Sequence, residues 1–93
     1  MTDNQKYLAE LLMTGDYYLR EINHAKKRKA WKLMDLENNP IKYVTPGTVK
    51  KYKHILKKDK IGRYSFNLNL VRQENSNAYV KQLYKKKQML IIK

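Results

Sequence analysis

The stretch from Thr45 to Ile61 reads TPGTVKKYKHILKKDKI, and whether it forms a helix or a hairpin decides the fold. Thr45 before Pro46 is a helix-start signal. The hydroxyl accepts from an orphan backbone N–H, and a proline at the first helical position gives up an N–H that has no partner. Laid out at about 100° per residue, Pro46 to Lys58 makes a helix with two unlike sides. Val49, Tyr52, Ile55 and Leu56 fall on one side; Lys50, Lys51, Lys53, His54, Lys57 and Lys58 fall on the other. The first side is fit for burial, and the second is cationic. Asp59 to Gly62 ends the helix, with Gly62 free to take positive φ. Tyr64, Phe66, Leu68 and Leu70 then alternate with Ser65, Asn67 and Asn69, the period of a half-buried strand. The competing reading pairs Val49 to Leu56 with Tyr64 to Leu70 as a hairpin. Segregation of charge favours the helix.

A helix opening on Thr-Val, a basic amphipathic turn, a Lys-rich exit, an isoleucine and then a strand resembles the recognition helix and first wing strand of winged helix-turn-helix DNA-binding domains. The resemblance covers residues 45–70 and implies duplex DNA as the partner, with Lys50, Lys53, His54 and Lys57 on the arc that would enter a groove. It departs from that pattern before Thr45. There Asn38-Asn39-Pro40 and the β-prone Ile41 to Val44 stand in place of a preceding helix.

Working outward toward the N-terminus, Thr2 to Met13 reads as a first helix. Thr2 and Gln5 have capping-box spacing, Asp3 sits where the helix dipole favours an anion, and Tyr7, Leu8, Leu11 and Leu12 form one apolar stripe. Thr14-Gly15-Asp16 stops this helix and caps the next. Asp16 to Asn38 reads as one long helix with Tyr18, Leu19, Ile22, Ala25, Leu33 and Leu36 on a common side. Lys26 and Lys29 project into that same sector, so either the helix breaks there or its middle crosses the edge of the core. Trp31 falls on the polar side with His24, Lys27, Arg28 and Asp35. It either stacks on a base, anchors a partner, or packs under an element the helical layout does not reveal. Asn38-Asn39-Pro40 ends the helix, and Ile41 to Val44 is a short strand.

Toward the C-terminus, Gln73 to Asn77 is a polar connector. Ser76 or Asn77 caps a last helix running to Lys87, with Tyr79, Val80, Leu83 and Tyr84 inward and Lys81, Lys85 and Lys86 outward. Met89 to Ile92 is too apolar for a free tail and reads as a closing strand, a tucked helix end or a subunit contact. The architecture expected is a single small basic α+β domain over residues 1–93. It is mainly helical, with three or four helices, a small antiparallel sheet or hairpin and a winged-helix-like arrangement.

The chain of 93 residues carries 21 Lys and Arg against 8 Asp and Glu, a formal net charge of +13. Such an excess repels itself in the compact state, so a polyanionic partner is the natural inference. Without cysteine there is no disulfide framework, thiolate metal site or cysteine nucleophile, and an intracellular setting is the default. The opening Met-Thr-Asp-Asn-Gln is not a signal peptide, and no apolar run is long enough to span a bilayer. The expected location is the cytoplasm, or the host cytoplasm for a phage-encoded chain.

Catalytic constellations are thin. His24 and His54 lack metal-ligand spacing and sit among lysines, no carboxylate cluster suits nuclease metals, and Gly15, Gly47 and Gly62 do not form a phosphate loop. The reading is therefore of a binding protein, with no enzyme activity, metal or cofactor expected. Candidate nucleic-acid contacts are Lys50, Lys51, Lys53, His54, Lys57, Lys58, Lys60 and Arg63, with a second group at Lys26, Lys27, Arg28 and Lys29; Trp31 is the candidate partner anchor. Lysine meets phosphate as a point charge, so weak sequence specificity follows unless Asn67, Asn69, Arg63 or Arg20 reaches base edges.

Duplex DNA is favoured over RNA, and a small transcriptional regulator, either monomeric or homodimeric, is the leading function. From a different class comes a small phage or mobile-element protein that inhibits a host nucleoprotein, comparable to anti-CRISPR proteins. Third is RNA or ribosome binding, favoured if Tyr64 and Phe66 lie on an open sheet face. A membrane-surface role fits less well, because the apolar stripes are narrow and Tyr-rich.

Overall fold

The computed structural model describes residues 2–23, 29–73 and 77–91. It is an α+β fold in which four helices, two of them long, accompany a five-stranded antiparallel sheet. The chain runs α1 (Asp3–Thr14), β1 (Tyr17–Asn23), β2 (Lys29–Asp35), β3 (Pro40–Val44), α2 (Pro46–Lys50), a 3₁₀ turn (Lys53–Ile55), β4 (Leu56–Lys58), β5 (Arg63–Phe66), α3 (Leu68–Val71) and α4 (Ala78–Ile91). Across the sheet the strand order is β3-β2-β1-β5-β4.

Helix α1 forms as its sequence dictates. The Thr2 hydroxyl accepts from the Gln5 amide while the Gln5 side chain accepts from the Thr2 amide, and Gly15 closes the helix at φ 81°. At the other end of the chain Asn77 caps α4, its Oδ1 accepting from the amides of Tyr79 and Val80. Ser76, the alternative cap, lies outside the described residues. The apolar Met89 to Ile91 is the end of α4 rather than a closing strand, and Met89 is 73% exposed.

The long helix expected over Asp16 to Asn38 is instead the β1–β2 hairpin, in continuous register from Tyr17↔Asp35 to Asn23↔Lys29. Many of these residues are good helix formers, so the reason is tertiary. A helix would turn its central lysines toward the core along with Leu19 and Leu33. Pairing as strands buries Leu19, Leu33 and Trp31 on one face and sends Arg20 and Lys32 to the other. The basic run at 24–28, where a continuous helix would have to break, lies outside the described residues.

The helix expected over Pro46 to Lys58 ends at Lys50, and this too is a correction. Val49, Tyr52 and Ile55 recur every third residue and are all fully buried. Successive i→i+3 bonds, from the Tyr52 amide to the Val49 carbonyl and from the Ile55 amide to the Tyr52 carbonyl, put all three on one side, as 3₁₀ geometry does. A longer α-helix would also set Lys53 near Lys57, with like charges one turn apart. The Tyr52 hydroxyl donates to the Gln5 carbonyl at 2.6 Å and ties the segment to α1. Leu56 to Lys58 then pairs with β5, so of the hairpin alternative over Val49 to Leu56 only Leu56 is paired, and the strand lies mostly beyond it. The strand expected over Tyr64 to Leu70 stops at Phe66, and Asn67 caps the short α3.

Helix α1 packs across β1 and β5, α2 covers β2, and α4 lies against α1 and α3. The core between helices and sheet contains Leu8, Ala9 and Leu12 from α1, Leu19, Trp31, Leu33, Val44 and Phe66 from the strands, and Val49, Tyr52, Ile55, Val71 and Val80. Among the described residues no helix is long and apolar enough to cross a membrane.

Candidate nucleic-acid interface on the outer face of the sheet

Side chains alternate along a strand, and directly paired residues of neighbouring strands share a face. The pairs Leu19↔Leu33, Glu21↔Trp31, Trp31↔Val44 and Leu19↔Tyr64 therefore lie on the inner face, under the helices. The pairs Tyr43↔Lys32, Lys32↔Arg20 and Arg20↔Arg63 lie on the outer face, in one row across β3, β2, β1 and β5. Lys57, opposite Ser65, adds a cation to that face from β4. No carboxylate occupies a paired position of the outer face among the described residues.

At a strand spacing of about 4.8 Å the backbone positions of Lys32, Arg20 and Arg63 fall within about 10 Å. Like charges directly opposite one another destabilise a sheet. Arg20 is exposed, with no hydrogen bond or ion pair among the described residues to offset this.

Both ends of the row are built on aromatic rings. At one end the Lys32 ammonium lies 5.2 Å from the centroid of Tyr43, whose side chain is 67% exposed. At the other the Arg63 guanidinium lies 4.7 Å from the centroid of Tyr18. There Asn38 Oδ1 accepts from both the Tyr18 hydroxyl at 2.6 Å and Arg63 Nη2 at 3.3 Å. Asn38 reaches this position from the β2–β3 turn with φ 66°, a left-handed conformation that asparagine tolerates well. The turn is braced by Asp35, whose Oδ1 accepts from the amides of Glu37 and Asn39. Those bonds, the one from the Asn39 amide foremost, hold the Asp35 carboxyl below its usual range.

Beyond Arg63, the β4–β5 turn is organised by Asp59, which accepts from the amides of Arg63 and Ile61. The Arg63 amide is the main cause of its lowered pKa, with the Arg63 charge a lesser one. Gly62 takes φ 86° there, as the sequence requires.

The basic residues singled out from sequence do not form one surface. Lys50, Lys51 and His54 line a shallow open depression with Gly47 and Asn77. Lys53 is exposed on the 3₁₀ turn and Lys60 at the β4–β5 turn. Strand alternation separates Lys57 from Lys58, which turns to the inner side with its ammonium 5.7 Å from the Tyr64 centroid. Lys29 opens β2, while Lys26, Lys27 and Arg28 lie outside the described residues. Of the described members of that group, Arg63 joins the cross-strand row.

Trp31 is a core residue at 4% exposure, edge-on to Tyr64 at 4.9 Å between centroids, and is not available as a partner anchor. Tyr64 and Phe66 face the core as well, so the condition that would have favoured RNA through these two rings is not met. Sequence reasoning missed Lys32 and Tyr43. Their signal was the two-residue alternation of Trp31-Lys32-Leu33 and Lys42-Tyr43-Val44, masked in the first case by the helical reading.

Comparison with protein-family models, with curated proteins and with solved structures finds no match to this chain.

Proposed function

We propose that this chain is a non-enzymatic nucleic-acid-binding protein, a small regulator whose contact surface is the outer face of the sheet. The observation that carries the reading is the row Lys32, Arg20, Arg63: three cations directly opposite one another on adjacent strands, without a carboxylate at any paired position of that face among the described residues. Such a row is unfavourable in the free protein and is relieved by a polyanion, whose phosphates exchange condensed counterions for these side chains. The net charge of +13 adds long-range steering toward the same class of partner. Lys50, Lys51, Lys53 and Lys60, exposed elsewhere, supply secondary phosphate contacts. Helix α2 has five residues, about 7.5 Å of rise, and is too short to read a major groove as a recognition helix does.

The test is a pair of charge reversals in equilibrium binding to labelled nucleic acid across a salt series. Arg20→Glu with Lys32→Glu is expected to weaken binding about 100-fold at low salt and flatten the log–log salt slope by about two units. Lys50→Glu with Lys51→Glu is expected to cost several-fold less. Equal losses from the two pairs would sink the outer face as the principal contact.

The reading as an inhibitor that occupies a host nucleoprotein uses the same cationic surface. Its support is weaker, because Trp31 is buried in the core; exposed Met89 is the apolar side chain that speaks for it.

A further inference from the structure

The pairing of β1 with β5 is short, covering Leu19↔Tyr64 and Arg20↔Arg63, whereas β1 pairs with β2 over seven positions. Past Leu19↔Tyr64, toward the start of β1, the pairing of β1 with β5 ends at a groove of about 300 Å³ at the sheet's edge, which Leu12, Met13 and Gly15 of the α1 end and Lys87 of α4 help line. Its lining includes Tyr17, Tyr18, Leu36, Lys57, Arg63 and Phe66. The lining mixes apolar side chains with Ser65, the Asp59 carboxylate and the cations Lys57, Arg63 and Lys87, and the volume lies at the lower end of the range for small-ligand pockets.

Arg63 belongs both to the cation row and to this groove. Its guanidinium carbon lies 4.7 Å from the Tyr18 centroid, and Nη2 donates to Asn38 Oδ1. Tyr18 is itself 3% exposed and hydrogen-bonded to the same oxygen, so the platform is fixed before any ligand arrives. Arg63 is only partly buried and lines the groove, so part of it is open to a ligand there. A planar cation held in this way stacks on an unpaired nucleobase, as arginine does in single-strand recognition.

We infer that the nucleic acid held by the outer face is single-stranded, with its phosphates on Lys32 and Arg20 and one base stacked on the Arg63 guanidinium at the mouth of the groove. This rests on the outer-face reading above and deepens it. Duplex bases are stacked on one another and offer no free plane to Arg63, whereas a single strand offers one at every nucleotide. Tyr43, at the far end of the row with an exposed ring beside Lys32, provides a second stacking position of the same type.

The test titrates the full chain with fluorescently labelled single strands of mixed sequence and with duplex of equal length, at about 50 and 200 mM salt. The single strand is expected to bind roughly tenfold tighter than the duplex, the size of one base–aromatic or base–arginine stack. Arg63→Lys, which keeps the charge and loses the plane, is expected to remove that preference while the salt slope stays the same. A 2-aminopurine placed in the strand is expected to be quenched by the native chain and not by this variant. Duplex binding as tight as single-strand binding would overturn the inference and leave the outer-face proposal standing. Loss of the outer-face proposal itself would appear differently, as no binding to either form at about 50 mM salt or as equal losses from the two charge-reversal pairs. Undiminished preference and quenching with Arg63→Lys would also overturn the stack, and the comparison of strand with duplex by the native chain needs no variant to fold.

Discussion

The two faces of strands β1 and β2 are one residue apart in sequence and opposite in what they do. Leu19 and Leu33, paired on the inner face, are fully buried beneath α1; Arg20 and Lys32, paired next to them, stand on the face opposite the helices of the described residues. On the inner face neighbours cooperate, since each ring or branched side chain fills space left by the others. On the outer face the central row does the reverse, with Arg20 placed between two further cations. The contrast teaches where this chain stores stability and where it gives some up, and a face that gives up stability in the free protein is the one a ligand can restore.

The contrast stands or falls most visibly on Trp31→Ala. If Trp31 belongs to the inner face, the variant loses about 3–5 kcal/mol in urea or thermal unfolding. A variant of native stability that had lost a partner would restore Trp31 as an anchor and undo the assignment of faces.

A middling effect is expected at the junction of core and helix. Tyr52→Phe removes the bond to the Gln5 carbonyl and should cost about 1 kcal/mol at neutral pH. Burial pushes the Tyr52 phenol up to about 12, with the Tyr79 phenol adding to the shift. An unfolded tyrosine ionises near pH 10, so in the window between about 10 and 12 the native state keeps a proton the unfolded chain has lost. Stability therefore falls as pH rises through that window, and the Phe variant, followed by thermal midpoint against pH, should fall less steeply than the native chain.

A smaller effect of opposite sign probes the same pair of faces from the outer side. Arg20→Thr relieves the like-charge row and keeps a strand-forming residue, so the free protein should gain a few tenths of a kcal/mol while its affinity for nucleic acid drops. A variant that loses stability would show that Arg20 already has a compensating partner. Least of all should be the acid sensitivity of the two turns that frame the face. Asp35 and Asp59 are held below the usual carboxylate range by backbone amides, so their contribution is complete above an unfolded pKa of about 3.9 and is lost as pH falls below it. With Asp35→Asn and Asp59→Asn combined, the thermal midpoint should decline less between about pH 5 and pH 3 than in the native chain.

Where function-bearing order was local, it was legible. The Thr2–Gln5 capping box, the stop at Gly15, the Thr45–Pro46 helix start and the Asn77 cap each depend on residues within one turn of chain, and each is found in place; Gly62 takes the positive φ expected of it, but in a β-turn and not at a helix end. The sites were less legible, because a basic run reads as one surface only while the backbone beneath it is assumed. Lys57 and Lys58 look equivalent in sequence, yet one residue of strand alternation sends them to opposite sides of the sheet.

The amino-acid sequence alone determined an α+β chain with capped terminal helices and an excess of positive charge. Tertiary structure decided that 17–23 and 29–35 are strands and that Arg20, Lys32 and Arg63 stand in line. The physical reason is that a strand's identity and register depend on partners distant in sequence, whereas a cap or a turn is complete within a few residues. Leu19, Leu33 and Trp31 gain their burial only when β1 and β2 lie beneath α1 and α2, and that burial carries the charged row to the opposite face.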